Sequence, residues 1–186
     1  MCKSLVWKEE NKKIICSTPV FEVGERLCRS PDNKVRTYTV LDTHDWAIVI
    51  PALDTKSGLQ FVMVRQWRHG ARELSLEFPG GVFKNDEDSA AAALRELREE
   101  TGYKAGKITK LGKFNPNPAI MSNTVHFFLC EELVKGSQEL DDDEYVEVVN
   151  VPWEEVFYGL GKAPYIHALM GTAMALYIGN KKPELP

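Results

Sequence analysis

Residues 80–103, GGVFKNDEDSAAAALRELREETGY, constrain the fold more than any other stretch of the chain. A Gly-Gly turn leads into a polar loop and then an Ala-rich run that Gly102 can end, which predicts turn, loop and a helix over residues 88–101. At about 100° per residue, Ala90, Ala93, Leu94, Leu97 and Thr101 share one face, the expected buried stripe. Glu96 and Glu100 lie about 40° apart on one flank, with Glu99 about 60° beyond Glu96, and Arg95 and Arg98 are expected on the opposite flank. Three carboxylates therefore share one edge.

Like charges four residues apart destabilise a helix by about 0.2–0.5 kcal/mol, so such an edge is either a solvated face or one compensated by a cation. Composition bears on the choice. With 23 basic and 27 acidic residues the net charge is -4, and no Lys/Arg block supplies the electrostatics of a nucleic-acid binder. An anionic ligand must then be met by local positive groups or by metal. A hard divalent cation takes oxygen ligands, and Mg²⁺ bound through a few carboxylates keeps positions for water and substrate phosphate.

A chain of 186 residues is one domain, or one domain with a short appendage, and is long enough for a sizeable core. Residues 13–50 are rich in β-branched and aromatic side chains around the turn signal Ser30-Pro31-Asp32-Asn33 and predict a hairpin or small sheet. Further strands are expected over residues 59–64, 74–78, 108–114, 124–130 and 145–151, and helix after Pro152. The mixed order predicts an α+β fold. Cys2, Cys16, Cys28 and Cys130 stand singly, as reduced thiols in a cytoplasmic protein do, and there is no apolar stretch long enough to predict a signal or a membrane span.

Gly81, five residues, Glu87, seven residues and then Arg95-Glu96-Leu97-Arg98-Glu99-Glu100-Thr101-Gly102-Tyr103 resemble the complete fingerprint of the Nudix hydrolases. The resemblance implies an α/β/α sandwich, here with an added N-terminal antiparallel sheet, that cleaves a diphosphate linked to a second moiety with Mg²⁺ or Mn²⁺. It also implies that Glu96 and Glu100 ligate metal, that Glu99 assists, that the Gly80 carbonyl reaches a metal, and that Glu87 pairs with Arg95.

VRQWRHGARELSLEFPGG and CSTPVFEVGERLCRSPDNKVRTYTVL are similar to the ADP-ribose pyrophosphatase branch of that family. In that branch a proline follows the fingerprint by fifteen residues, matched here by Pro118, and an arginine matched by Arg68 contacts substrate phosphates; a surface salt bridge is the plainer role for Arg68. The run Asp141-Asp142-Asp143-Glu144 matches an acidic loop whose carboxylate closes over substrate and orients or deprotonates water, with Glu144 favoured over Asp142. Trp46, Trp7 and Phe21 can either stack on a nucleobase or pack in the sheet. His44, His69, His126 and His167 show no ligand spacing. The chain departs from the branch in Ala119 for a glycine, Gly80 for an alanine and Arg65 for an acid.

These features predict residues 1–42 as a β extension that dimerises and residues 43–186 as the hydrolase domain. The expected activity is Mg²⁺-dependent hydrolysis of ADP-ribose or a related nucleoside diphosphate sugar, on a cytoplasmic homodimer with no nucleic-acid or membrane partner. Two rivals are a Nudix hydrolase for a dinucleoside polyphosphate or oxidised nucleotide and a non-catalytic nucleotide-sugar sensor.

Overall fold

The computed structural model describes residues 4–84, 86–140 and 144–183. Its contacts divide the chain into two compact units, one of residues 1–45 with 115–124 and one of residues 46–114 with 125–186.

In the first unit β1 (Lys8–Ser17), β2 (Glu22–Arg29) and β3 (Val35–Asp42) form an antiparallel sheet in that order. The expected turn between β2 and β3 closes through Ser30 N–H to Lys34 O at 2.8 Å and Asn33 N–H to Ser30 O at 2.9 Å, with Asn33 taking φ 65°. Asparagine is among the few residues that tolerate that left-handed conformation. Arg26 of β2 is buried and grips Asp42 of β3 with one guanidinium nitrogen. The 115–124 segment joins this unit through Leu41 N–H to Ile120 O at 2.7 Å.

The second unit carries a mixed seven-stranded sheet. Its strands are β4 (Trp46–Thr55), β5 (Gly58–Arg68), β6 (Glu73–Glu77), β7 (Gly80–Val82), β8 (Tyr103–Phe114), β9 (Val125–Lys135) and β10 (Val146–Pro152). The main path runs β10-β5-β4-β9-β8, with β6 on β5 and β7 on β4; β4 and β9 pair in parallel and every other pair is antiparallel. The helices are α1 (Ser89–Thr101), α2 (Trp153–Gly159) and α3 (Ala168–Lys181). Residues 46–50, expected in the N-terminal sheet, instead begin the strand at the middle of the larger one.

Strand alternation divides the core into two layers. Ala47, Val49, Val62, Phe128 and Cys130 meet Ala92, Ala93 and Leu97 of α1, whereas Ile50, Phe61, Met63, Phe127 and Leu129 meet Val156 of α2 and Met170, Ala173, Met174 and Tyr177 of α3. Phe61, fully buried, stacks edge-on against Phe78 and Tyr177 at 5.2 and 5.1 Å, so truncating it to alanine would cost about 3–5 kcal/mol. The result is the expected α+β sandwich with an additional antiparallel sheet. Among the described residues no helix is long and apolar enough to cross a membrane.

The buried stripe of α1 differs from the expected one. Ala92, Ala93, Glu96, Leu97, Glu100 and Thr101 are buried while Leu94 is exposed, a rotation of roughly 60–70° about the helix axis. Periodicity assigns carboxylates to water. Here hydrogen-bond donors from the turn before the helix, and from the helix itself, draw two of them inward.

Candidate active site

The turn that opens the 80–103 segment is held on several sides. Phe78 N–H donates to the Met170 thioether at 3.1 Å, Val49 N–H donates to Pro79 O at 2.9 Å, and Gly80 and Gly81 pair with Ile48 and Ala47 of β4. Both glycines answer to close approach. A Cβ at Gly80 would stand 2.2 Å from Ala47 O, and one at Gly81 would stand 2.5 Å from a Glu96 carboxylate oxygen. Glycine at 80 thus matches the tightness of this strand pair.

Asp88 starts α1 by accepting Ala90 N–H at 2.9 Å and Ala91 N–H at 3.3 Å, and Gly102 ends it at φ 76°. Between these caps the helix directs Glu96 and Glu100 under the Gly80-Gly81 turn. Glu100 Oε2 accepts Gly80 N–H at 2.9 Å. Arg95, expected on the flank away from the acids, lies among them: Nη1 donates to Glu96 Oε1 at 2.7 Å and Glu99 Oε2 at 2.9 Å. Its Nε and Nη2 take the two oxygens of Glu87 at 2.9 and 3.0 Å, which is the pairing the fingerprint implies and which ties loop to helix. The error lies in azimuth, since Arg95 is one helical turn before Glu99.

Burial, then the charges of Glu96 and Glu144, push the Glu100 carboxyl up to about 8, although Gly80 N–H and Arg68 oppose them. Glu96 is raised by burial and by the Glu99 and Glu144 charges, against the opposing Arg95. Glu96 and Glu100 are thus a buried, mutually repelling pair, and the charge of the exposed Glu144 reaches both. An anionic, all-oxygen donor set under mutual repulsion suits a hard divalent cation. Among the described residues no three His, Cys, Asp or Glu side chains enclose an ion unaided. Mg²⁺ characteristically completes its shell with water and phosphate oxygens, so the residues present fit it.

Arg68, at the end of β5, donates from Nε and Nη2 to the two oxygens of Glu77 at 2.8 and 2.6 Å. Glu77 is buried, and although burial alone would raise its pKa, the Arg68 hydrogen bonds and the charges of His167 and Arg68 hold it low. Arg68 is thereby a fixed cation, 40% exposed at its side chain and within the field of Glu100. Glu77 is absent from the sequence-based set of site residues. Its signal is an acid inside the apolar strand run LSLEF, because a charge so placed requires a partner. His167, which caps α3 by accepting Leu169 N–H at 3.1 Å, places Nε2 4.0 Å from Glu77.

Of the remaining expected residues, Glu144 lies by its field with Glu96 and Glu100, and it lines a surface groove with Leu74, Leu140 and Tyr145. Arg65, at the edge of that groove, pairs with Glu147 at 2.9 Å. Asp142 lies outside the described residues. Trp46 is half-buried and packs on the core beside α3, while Pro118 belongs to the first unit, exposed in a turn where Met121 N–H donates to Asn117 O at 2.8 Å. Trp7 and Phe21 are also in the first unit, Trp7 edge-on to Tyr38 at 5.5 Å.

Known proteins resemble this chain over most of its length. The chain is 36% identical over 155 residues to an ADP-ribose pyrophosphatase of Bacillus subtilis, covering 82% of each chain. It is 28% identical over 177 residues to an ADP-sugar pyrophosphatase of Mus musculus, covering 84% of this chain and 81% of that one. The crystal structure of an ADP compounds hydrolase superposes with a TM-score of 0.85 over 97% of both chains at 23% identity, a likeness of fold. Residues 43–170 match the family described as the NUDIX domain. With the fingerprint assembled around a buried carboxylate cluster and most of the chain matched, this protein belongs to the Nudix hydrolase family.

Proposed function

We propose that the chain hydrolyses the diphosphate of ADP-ribose or a related nucleoside diphosphate sugar, with Mg²⁺ or Mn²⁺, to a nucleoside monophosphate and a sugar phosphate. The observation that carries this reading is the buried pair Glu96 and Glu100, held by Arg95 and by the Gly80 N–H, with the pinned Arg68 cation in the field of Glu100. The substrate class rests on the likeness to the Bacillus subtilis ADP-ribose pyrophosphatase.

Glu96 and Glu100, with Glu99 and the Gly80 carbonyl, would hold the cation. When bound, it supplies positive charge to the diphosphate oxygens and the leaving phosphate and acidifies water. Arg68, its fork fixed by Glu77, orients the phosphates. Glu144, or Asp142 two positions earlier, takes the proton from water as the new P–O bond forms and the bridging P–O bond breaks in line. Trp46, half-buried at the start of β4, is the aromatic assigned to the substrate in this reading. Residues 1–42 serve as a dimerising extension to the hydrolase domain of residues 43–186, and the single thiols suit the cytoplasm.

Arg65 paired to Glu147, and Ala119 in place of glycine, favour a second reading in which another nucleoside diphosphate derivative is preferred. The deciding experiment measures phosphomonoester release from a panel of nucleotide sugars, dinucleoside polyphosphates and oxidised nucleotides with Mg²⁺ and with Mn²⁺. Fastest release from ADP-ribose supports the first reading, and a different preferred substrate supports the second. Binding of nucleotide sugar without release under either cation identifies a sensor.

A further inference from the structure

A helix end leaves backbone carbonyls without intrahelical partners. At the C-terminal end of α1, a single following segment takes up three carbonyls. Gly136 N–H donates to Gly102 O at 2.8 Å, Glu139 N–H donates to Glu99 O at 3.0 Å, and the side-chain amide of Gln138 donates to Glu100 O at 2.6 Å. Arg98 adds an ion pair to Glu139 at 3.5 Å. The seat for this segment is Gly102, where a Cβ would stand 2.8 Å from the Ser137 carbonyl carbon and 2.9 Å from Gln138 N. The left-handed φ of 76° and this contact both call for glycine.

The Gln138 amide also makes a second bond. The same Nε2 donates to Val146 O at 3.3 Å, at the first residue of β10 and two positions beyond Glu144. One amide thus joins the backbone of Glu100 to the backbone next to Glu144. Gln138 itself is exposed, so packing does not account for the order of its side chain. We infer that Gln138 is a positioning residue whose amide sets the distance between Glu144 and the Glu96/Glu100 pair. The inference rests on the proposed function, in which Glu144 acts on the attacking water. A displacement of about 1 Å at a reacting group costs on the order of 10²-fold in rate, so a tether worth little to stability is worth much to turnover.

Gln138→Met keeps length and removes both donors. The expected result is a fall in kcat of about 10–100-fold with KM little changed, an unchanged melting temperature, and faster amide hydrogen exchange at residues 144–146. In a Glu144→Gln background the same substitution should lower kcat no further, because there is no carboxylate left to position. The proposal is overturned by an equal loss from Gln138→Met in both backgrounds, by wild-type kcat in Gln138→Met or in Glu144→Gln, or by unchanged exchange. Absence of turnover by the unaltered protein on any substrate overturns the functional reading and the proposal together. Unchanged exchange in an active enzyme overturns the proposal alone.

Discussion

Gly80 and Glu100, twenty residues apart, are joined by a 2.9 Å hydrogen bond from a backbone N–H to a carboxylate oxygen. That bond couples the strand end to the helix and leaves Glu100 with a neutral donor against the repulsion of Glu96 and Glu144. Folding thus maintains a buried carboxylate pair that, under the proposed function, a cation would stabilise.

Glu100→Gln retains an oxygen for Gly80 N–H and removes the charge. It should fold with a melting temperature no lower than that of the parent and lose on the order of 10³-fold or more in kcat. Turnover near that of the parent under saturating Mg²⁺ would remove Glu100 from the cation site.

The raised pKa of Glu100 fixes the sign of a pH effect. Its carboxyl titrates at about 8 in the fold against an ordinary value of 4.5, so the native chain retains a proton that the unfolded chain releases. The resulting stability is present in full below about pH 4.5 and is lost as pH rises through about 8. In the proposed function Glu100 would hold a divalent cation in competition with that proton, so the gain in melting temperature from Mg²⁺ should be larger at about pH 8.5 than at about pH 5.5. Equal gains at the two pH values, measured against a chelator control, would contradict this account, and Glu100→Gln should abolish the difference.

Arg95→Ala leaves Glu87, Glu96 and Glu99 without their shared cation. Breaking a mostly buried network of this kind costs about 3 kcal/mol, or roughly 6–12 °C in melting temperature for a chain of this size. Thermal unfolding under chelator decides the point. An unchanged melting temperature with activity abolished would make Arg95 a substrate contact instead of a structural brace.

What was legible in the sequence follows the range of the forces involved. The Gly102 stop of α1, the turn at Ser30 and the strands carrying alternating apolar residues are local in origin, and they stand where expected. The azimuth of α1 is not local, because it depends on Gly80 N–H, and neither is the position of Arg95, which Glu87 draws across the loop. Strand β8 begins at Tyr103, earlier than expected, because Lys104 and Lys107 on this edge strand interrupt the apolar alternation without interrupting its pairing to β9. Glu77 was readable as an acid in an apolar strand; Gln138 was not, since a side chain bonding two remote carbonyls leaves no trace in spacing.

In the first unit β1 is exposed along its whole length, and Ile14, Ile15, Leu27, Val35 and Tyr38 remain at least 36% exposed. So much apolar surface on a sheet with an open edge predicts a homodimer formed with a second copy of the chain. Light scattering at micromolar concentration should give twice the 21.0 kDa chain mass; a monomeric mass would refute the assembly.

The acidic loop separates two accounts in a single measurement. If Glu144 takes the proton of the attacking water, Glu144→Gln should lower kcat by about 10²–10⁴-fold and leave substrate binding nearly unchanged, the usual consequence of losing a positioned base. If the loop is only solvated surface, the change should cost less than about 0.5 kcal/mol in stability or activation. Asp142→Asn is the control, because it removes the same charge from the same loop two positions earlier. Glu144 is the favoured base because its charge reaches both Glu96 and Glu100. Should Asp142→Asn be the crippled enzyme while Glu144→Gln stays active, the base moves to Asp142. Glu96 and Glu100 would keep their places, since their geometry depends on Gly80 and Arg95 and not on the loop.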